Sequence, residues 1–342
     1  MTTVFGRLPG GESVEAVEIT AHGLRARFLT WGATLQDLRL DGIPHGLVLG
    51  FPDLDSYLAY PDLYFGAMVG RFANRIGNGR ATLGGTHVQL DRNFLGRHLL
   101  HGGREGASRR NWRIEARSDA SVTFADTLPD GHMGFPGCLT VRTAFEIRPG
   151  PALSIEVLAE TDAETLCSFA HHAYFNLGGG PTIAGHRLRI AADHYLPVSD
   201  ELIPTGEVAA VAGTPFDFRD PVTLDAGRLA VGYDHNFCLS EERGPVRPIA
   251  DLVAPDGRVT MTIRTTEPGL QIYDGAAIAA GPFGAHAGLA LEPQVWPDAP
   301  NHRHFPSALL RPGETYRQHT VLAFTAGAAA ACPAEREAPP TG

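Results

Sequence analysis

An all-β fold, a large single-domain antiparallel sandwich, is predicted for this chain of 342 residues. Three observations predict it. Apolar and polar residues alternate with period two in segment after segment. Turn chemistry separates those segments. Helical periodicity is scarce, and 40 Gly with 26 Pro disfavour long helices.

The strands follow in chain order. Leu24-Arg25-Ala26-Arg27-Phe28 alternates, as do Val122-Thr123-Phe124 and Leu139-Thr140-Val141-Arg142-Thr143, which leads to Phe145 and Ile147. Leu153-Ser154-Ile155-Glu156-Val157, Leu188-Arg189-Ile190 and Val259-Thr260-Met261-Thr262-Ile263 repeat the pattern. Side chains on a strand point to opposite faces in turn, so each segment has one face to bury. Pro9-Gly10-Gly11, Asp41-Gly42, Gly84-Gly85, Pro149-Gly150, Asp256-Gly257 and Pro312-Gly313 supply the turns. Asp55 to Tyr60 has room for a turn or two of helix. The sandwich is expected over residues 1–325. The Ala- and Pro-rich stretch 326–342 reads as a flexible tail, with a short helix over 326–331 as the alternative for its start.

Composition excludes several chemistries. All 28 basic residues are Arg, so there is no lysine for a Schiff base, a pyridoxal phosphate anchor or a P-loop. The four cysteines (Cys138, Cys167, Cys238 and Cys332) form no CxxC pair, and free thiols are the simpler reading. The net charge of -10 and the scattered arginines offer no basic stripe for nucleic acid. No apolar run reaches the length of a membrane span, and the first residues lack the pattern of a secretory signal. The expected location is the cytoplasm.

Six segments break the strand–turn pattern with dense polar, aromatic and glycine residues. They are Gly70 to Arg80 (GRFANRIGNGR), His98 to Gly103 (HLLHGG), His171 to Gly178 (HHAYFNLG), Gly232 to Phe237 (GYDHNF), Glu267 to Tyr273 (EPGLQIY) and Leu291 to Asn301 (LEPQVWPDAPN). In this order they resemble the aldose 1-epimerase (galactose mutarotase) family. Ile203-Pro204-Thr205-Gly206, Gly213 to Phe218 and the run from Phe305 to Glu314 extend the resemblance over nearly the whole chain.

The resemblance implies a galactose mutarotase-like supersandwich that interconverts the anomers of a free aldohexose. Ring opening needs a base for the anomeric hydroxyl proton and an acid for the ring oxygen; closure uses the same pair in reverse. No metal and no organic cofactor is then required. Glu292 matches the family's base and His172 its acid. His101 matches an assisting histidine that also binds the sugar. Asn74, Arg75, Asp234 and Gln271 match sugar-binding positions. Tyr174, Phe175 and Trp296 are wall candidates, with core packing as the alternative. The partner is a small aldose, with no nucleic acid or membrane, and the family includes monomers and dimers.

Simpler readings stand beside these roles. Glu292 alternates with Leu289 and Leu291, which also suits a solvent-facing strand carboxylate. Taken in isolation, His172 reads first as a hydrogen-bonded core histidine, and Asp234 suits an Asx turn. His171 stands where the family pattern has Asn; as neighbours on a strand, His171 and His172 should face opposite ways. His98 reads as surface, and Arg71 and Arg80 as ion-pair partners. Three other functions stay open: a hexose-6-phosphate epimerase using the arginines, a non-catalytic sugar-binding module, and a metal enzyme using His302-Arg303-His304.

Overall fold

The computed structural model describes residues 2–327. Its largest sheet has nine strands. In spatial order they are Arg113–Arg117, Ser121–Leu128, Leu139–Arg148, Ala152–Thr161, Tyr316–Ala326, Val259–Thr265, Arg247–Val253, Arg187–Ile190 and Val222–Thr223. Every pairing in it is antiparallel. The predicted alternation is visible in Leu139–Arg148, where every second residue is buried and most of the others are exposed. Ala326 pairs with Val259, so the last strand reaches one residue past the expected sandwich boundary. The rest of the expected tail, residues 328–342, lies outside the described residues, as does Cys332.

A four-stranded sheet, Thr2–Arg7 to Thr34–Leu40, and a six-stranded sheet complete the main layers. The six-stranded sheet runs in the order Tyr174–Phe175, Leu289–Gln294, Gly269–Tyr273, Asp234–Cys238, His194–Tyr195, Ala209–Ala210. One large apolar core joins all three sheets. Phe28 and Leu38 come from the first, Phe145, Ile155 and Leu322 from the nine-stranded sheet, and Phe237, Leu270, Ile272 and Leu291 from the six-stranded sheet. Burying this surface is the main favourable term, at about 25 cal/mol per Å².

The one recognisable early helix is Leu54–Ala59, capped by Asp53, whose carboxylate accepts from Ser56 N–H at 2.8 Å. No helix among the described residues is long and apolar enough to cross a membrane. Alternation also sorts the side chains of the six-stranded sheet. Leu289 and Leu291 enter the large core on one face, so Ala290, Glu292 and Gln294 occupy the other.

Candidate active site

That second face of the six-stranded sheet forms one wall of a cleft of about 490 Å³. Glu292 sits directly across from Gln271 in the neighbouring strand. Asp234 pairs with Tyr273 one row further along and points to the same side. Period-two geometry thus brings Glu292, Gln271, Tyr273 and Asp234 together, although 58 positions separate Asp234 from Glu292 in the chain.

The opposing wall comes from two short segments that hold each other. Arg75–Ile76 pairs antiparallel with Leu99–Leu100. His101 N–H donates to the Asn74 carbonyl at 3.0 Å, and Asn74 N–H donates back to His101 Nδ1 at 3.1 Å. Both residues are left-handed, with φ of 63° at Asn74 and 49° at His101. Such backbone costs about 1–3 kcal/mol per residue, and it persists because this reciprocal lock over-determines it. The glycine after His101 is required: at Gly102, φ is 82° and a Cβ would lie 1.9 Å from the Gly70 carbonyl oxygen.

His172 arrives from a third segment. Ala170–His171 pairs with Met68–Val69, and the two histidines diverge as expected for strand neighbours. His171 turns into the apolar interior, with its ring 5.8 Å from Phe145. His172 faces the cleft, with its ring 5.0 Å from His101, 5.1 Å from Tyr174 and 5.6 Å from Tyr64. Its Nε2 lies 3.5 Å from Glu292 Oε1.

Glu292 is 1% exposed, so it is not a solvent-facing strand residue. Burial raises its carboxyl pKa well above the ordinary carboxylate range, and the nearby Asp234 charge pushes the same way. Burial also lowers the His172 imidazole to about 4. His101 is lowered well below its usual value by burial first, then by His172 and Arg75. The distance between His172 and Glu292 is that of an ion pair, whereas both shifts favour the neutral forms. Burial decides, because Glu292 Oε2 and His172 Nδ1 have no hydrogen-bond partner among the described residues. Burial therefore favours the neutral carboxyl with the neutral imidazole over the ion pair.

The polar end of the cleft is built around Asp234. Arg75 grips it with two nitrogens, at 2.8 and 3.4 Å, and Gln271 Nε2 donates to it at 2.6 Å. Arg75 is also steered by Asn74 Oδ1 and lies over the Phe94 ring at 4.8 Å. Asn74, Arg75, His101, His172, Asp234 and Glu292 all line the cleft. Gln271 does not; it stands behind Asp234 and orients it. Tyr174 lines the cleft, while Phe175 packs in the large core and Trp296 in a smaller apolar cluster.

Other expectations are corrected. His98 is buried at 2% exposure rather than at the surface. Arg71 is buried without a carboxylate partner and donates to the carbonyls of Leu128, Pro136 and Gly137. Arg80 makes no ion pair among the described residues; its Nε contacts Gln89 at 3.5 Å. Tyr64, Asn93, Phe94 and Leu202 also line the cleft and lie outside the six singled-out segments; Tyr273 closes one of those segments but was given no role from sequence.

Could the site hold a metal? His101, His172 and Glu292 bring ligand atoms within 4.8 Å of one another. His101 fits poorly, however. Its Nδ1 accepts from Asn74 N–H, so a neutral ring carries its proton on Nε2 and offers the cleft a donor rather than a lone pair. His302 and His304 do not converge either: His302 Nε2 lies 3.2 Å from Asp298, and His304 Nε2 bonds the Gly206 carbonyl.

Comparison with known proteins agrees with this architecture. A galactose mutarotase from Mus musculus is 40% identical over 94% of this chain and 98% of its own length. An aldose 1-epimerase from Escherichia coli strain K12 is 35% identical over 89% of this chain and 93% of its own. Among solved structures, an aldose epimerase homologue from C. elegans superimposes with a TM-score of 0.85 at 30% identity, covering 91% of this chain and 98% of the other. A galactose 1-epimerase from Lactobacillus acidophilus gives 0.83 at 26% identity, covering 96% and 99%. The sequence model of the aldose 1-epimerase family matches residues 15–323, and the chain belongs to that family.

Proposed function

We propose that this protein interconverts the α and β anomers of free aldohexoses such as galactose and glucose, with Glu292 and His172 as the proton-transfer pair. The observation that carries the reading is their juxtaposition, 3.5 Å apart and buried at the inner end of the cleft. The anomeric hydroxyl and the ring oxygen share one carbon, so an acid and a base this close can reach both at once.

The proton balance is simple. With sugar bound and Glu292 ionised, His172 carries the proton. Glu292 takes the anomeric O–H proton while His172 gives its own to the ring oxygen. The C1–O5 bond breaks, the aldehyde forms, and the pair ends as carboxylic acid and neutral imidazole. That end state is the one burial favours in the empty site. Rotation about C1–C2 and the reverse transfers close the ring on the other face. A raised carboxyl is a stronger base and a lowered imidazole a stronger acid, each contributing about 10²–10⁴ in rate. His101 presents its Nε2–H to a sugar oxygen. Asp234, held by Arg75 and Gln271, accepts from sugar hydroxyls, and Asn74 and Arg75 complete the polar end.

The lining disfavours a phosphorylated substrate. Asp62, Asp234, Asp274 and Glu292 line the cleft, and Arg75 is the one guanidinium among the described residues there, already engaged by Asp234. A phosphate dianion finds no free cation. A mere binding module has no need of a buried acid and base in contact. The His101 tautomer supports chemistry without a metal or other cofactor. We place the protein in the cytoplasm as a monomer or homodimer acting on a small sugar, with neither nucleic acid nor membrane as partner, in keeping with its acidic charge.

Polarimetry on freshly dissolved α-D-galactose, α-D-glucose and glucose 6-phosphate, each against a protein-free blank, tests this. Acceleration with the free hexoses is the expected result. Acceleration only with the phosphate ester would overturn the substrate assignment.

A further inference from the structure

Two loops far apart in sequence meet at the cleft. Phe94, in the loop Arg92 to His98, and Leu202, in the loop Ser199 to Pro204, both line it. Leu202 is left-handed, with φ of 59°, a strained conformation for a bulky side chain. Within the loops, Phe94 and His98 exchange backbone hydrogen bonds at 2.9 Å, and Ser199 and Ile203 close the other turn at 2.9 Å.

A side-chain network outside the cleft ties the loops together. Arg97 Nη1 donates to both oxygens of Glu201, at 3.1 and 2.9 Å. His98 Nε2 lies 3.2 Å from Glu201 Oε2. The direction of that bond is fixed from the other side of the ring. Asn78 N–H donates to His98 Nδ1 at 2.9 Å, so the ring proton is on Nε2 and is donated to Glu201. Arg97 Nε also donates to Asn78 Oδ1 at 2.8 Å. Asn78 lies three residues beyond Arg75, next to Gly77, whose N–H is held by buried Asp298 at 2.8 Å. The network therefore runs from the rigid floor around Arg75, through a buried imidazole, to the carboxylate next to Leu202. Neither Glu201 nor His98 lines the cleft.

We infer that Glu201 is a positioning residue for sugar binding: through His98 and Arg97 it fixes the Phe94 and Leu202 walls of the cleft. Arg97 and Glu201 are half exposed, and an isolated surface ion pair would do little. The buried His98 ring is what makes Glu201 matter, because removing the carboxylate leaves its N–H without its acceptor. The inference rests on the sugar-binding reading of the cleft.

The test is galactose binding by calorimetry together with mutarotation kinetics, on wild type, Glu201→Ala, Glu201→Gln and the double variant Arg97→Glu/Glu201→Arg. In Glu201→Ala, KM and Kd should rise roughly threefold to tenfold while kcat stays within about twofold, the signature of lost positioning rather than lost chemistry. Glu201→Gln, which still offers His98 an acceptor oxygen, should recover most of the affinity; the double variant, which restores only the ion pair, should not. Unchanged KM and Kd in Glu201→Ala, or recovery by the double variant but not by Gln, would overturn the role given to Glu201 and leave the mutarotase reading intact. Wild type that neither binds nor turns over the sugar would overturn both.

Discussion

His171→Leu should make the protein less sensitive to acid. His171 lies in a small apolar pocket with Met68, Ile155 and Phe175, and its Nε2 has no partner among the described residues. Burial first, and the neighbouring His172 second, lower its pKa from 6.5 to about 3. In the unfolded chain it titrates near the ordinary value. Below that value the unfolded state binds more protons than the folded one, so stability falls as pH falls, until the folded imidazole itself protonates near 3. The slope from this one group approaches about 1.4 kcal/mol per pH unit, which gives about 2 kcal/mol lost between pH 8 and pH 5. Leucine keeps similar bulk and removes the titration. Guanidinium unfolding of both proteins at pH 8, 6 and 5 isolates the effect, because every other titrating group is shared. The stability difference between variant and wild type should shift by about 2 kcal/mol toward the variant as pH drops to 5. A difference that stays constant over that range would refute the buried, neutral assignment of His171.

Further predictions concern the site itself. Glu292→Gln should lower kcat by about 10²-fold or more while galactose still binds, and His172→Asn should do the same; near-normal turnover in either removes that residue from its role. Asp234→Ala leaves Arg75 and Gln271 without their shared acceptor, so KM should rise by about tenfold or more, read from initial rates against sugar concentration. The Glu292–His172 pair works with one shared proton and is silenced by a second; with the imidazole lowered to about 4, the acid limb of kcat/KM should fall near pH 4 rather than near 6.5, with blank rates subtracted at each pH. Incubation with a chelator followed by gel filtration should leave the rate unchanged, and loss restored by a divalent ion would contradict the cofactor-free chemistry.

How much of this was legible in the sequence depends on the range of the interaction that places each residue. Strand alternation is local, so Leu139–Arg148 and the split between Leu291 and Glu292 could be read directly. The divergence of His171 and His172 came from the same rule. What alternation cannot show is whether the polar face of a strand meets solvent or another segment. Glu292 is buried because the segments carrying His101 and His172 close over it, and that depends on pairings such as Arg75 with Leu100. His98 looked superficial for the same reason: its partners Asn78 and Glu201 are 20 and 103 residues away. Tyr64 and Leu202 sit in turns with ordinary composition; only the folded chain shows that both reach the cleft. Gln271 matched a sugar-binding position, and one of its amide N–H groups donates to Asp234, a cross-strand contact with no trace in local spacing.

The most direct measurement is proton exchange spectroscopy on galactose at anomeric equilibrium, with wild type, Glu292→Gln and His172→Asn. Magnetisation should pass between the α and β anomeric protons far faster than in the blank with wild type alone. Exchange that persists at the wild-type rate in both variants would contradict the claim that this buried pair moves the proton.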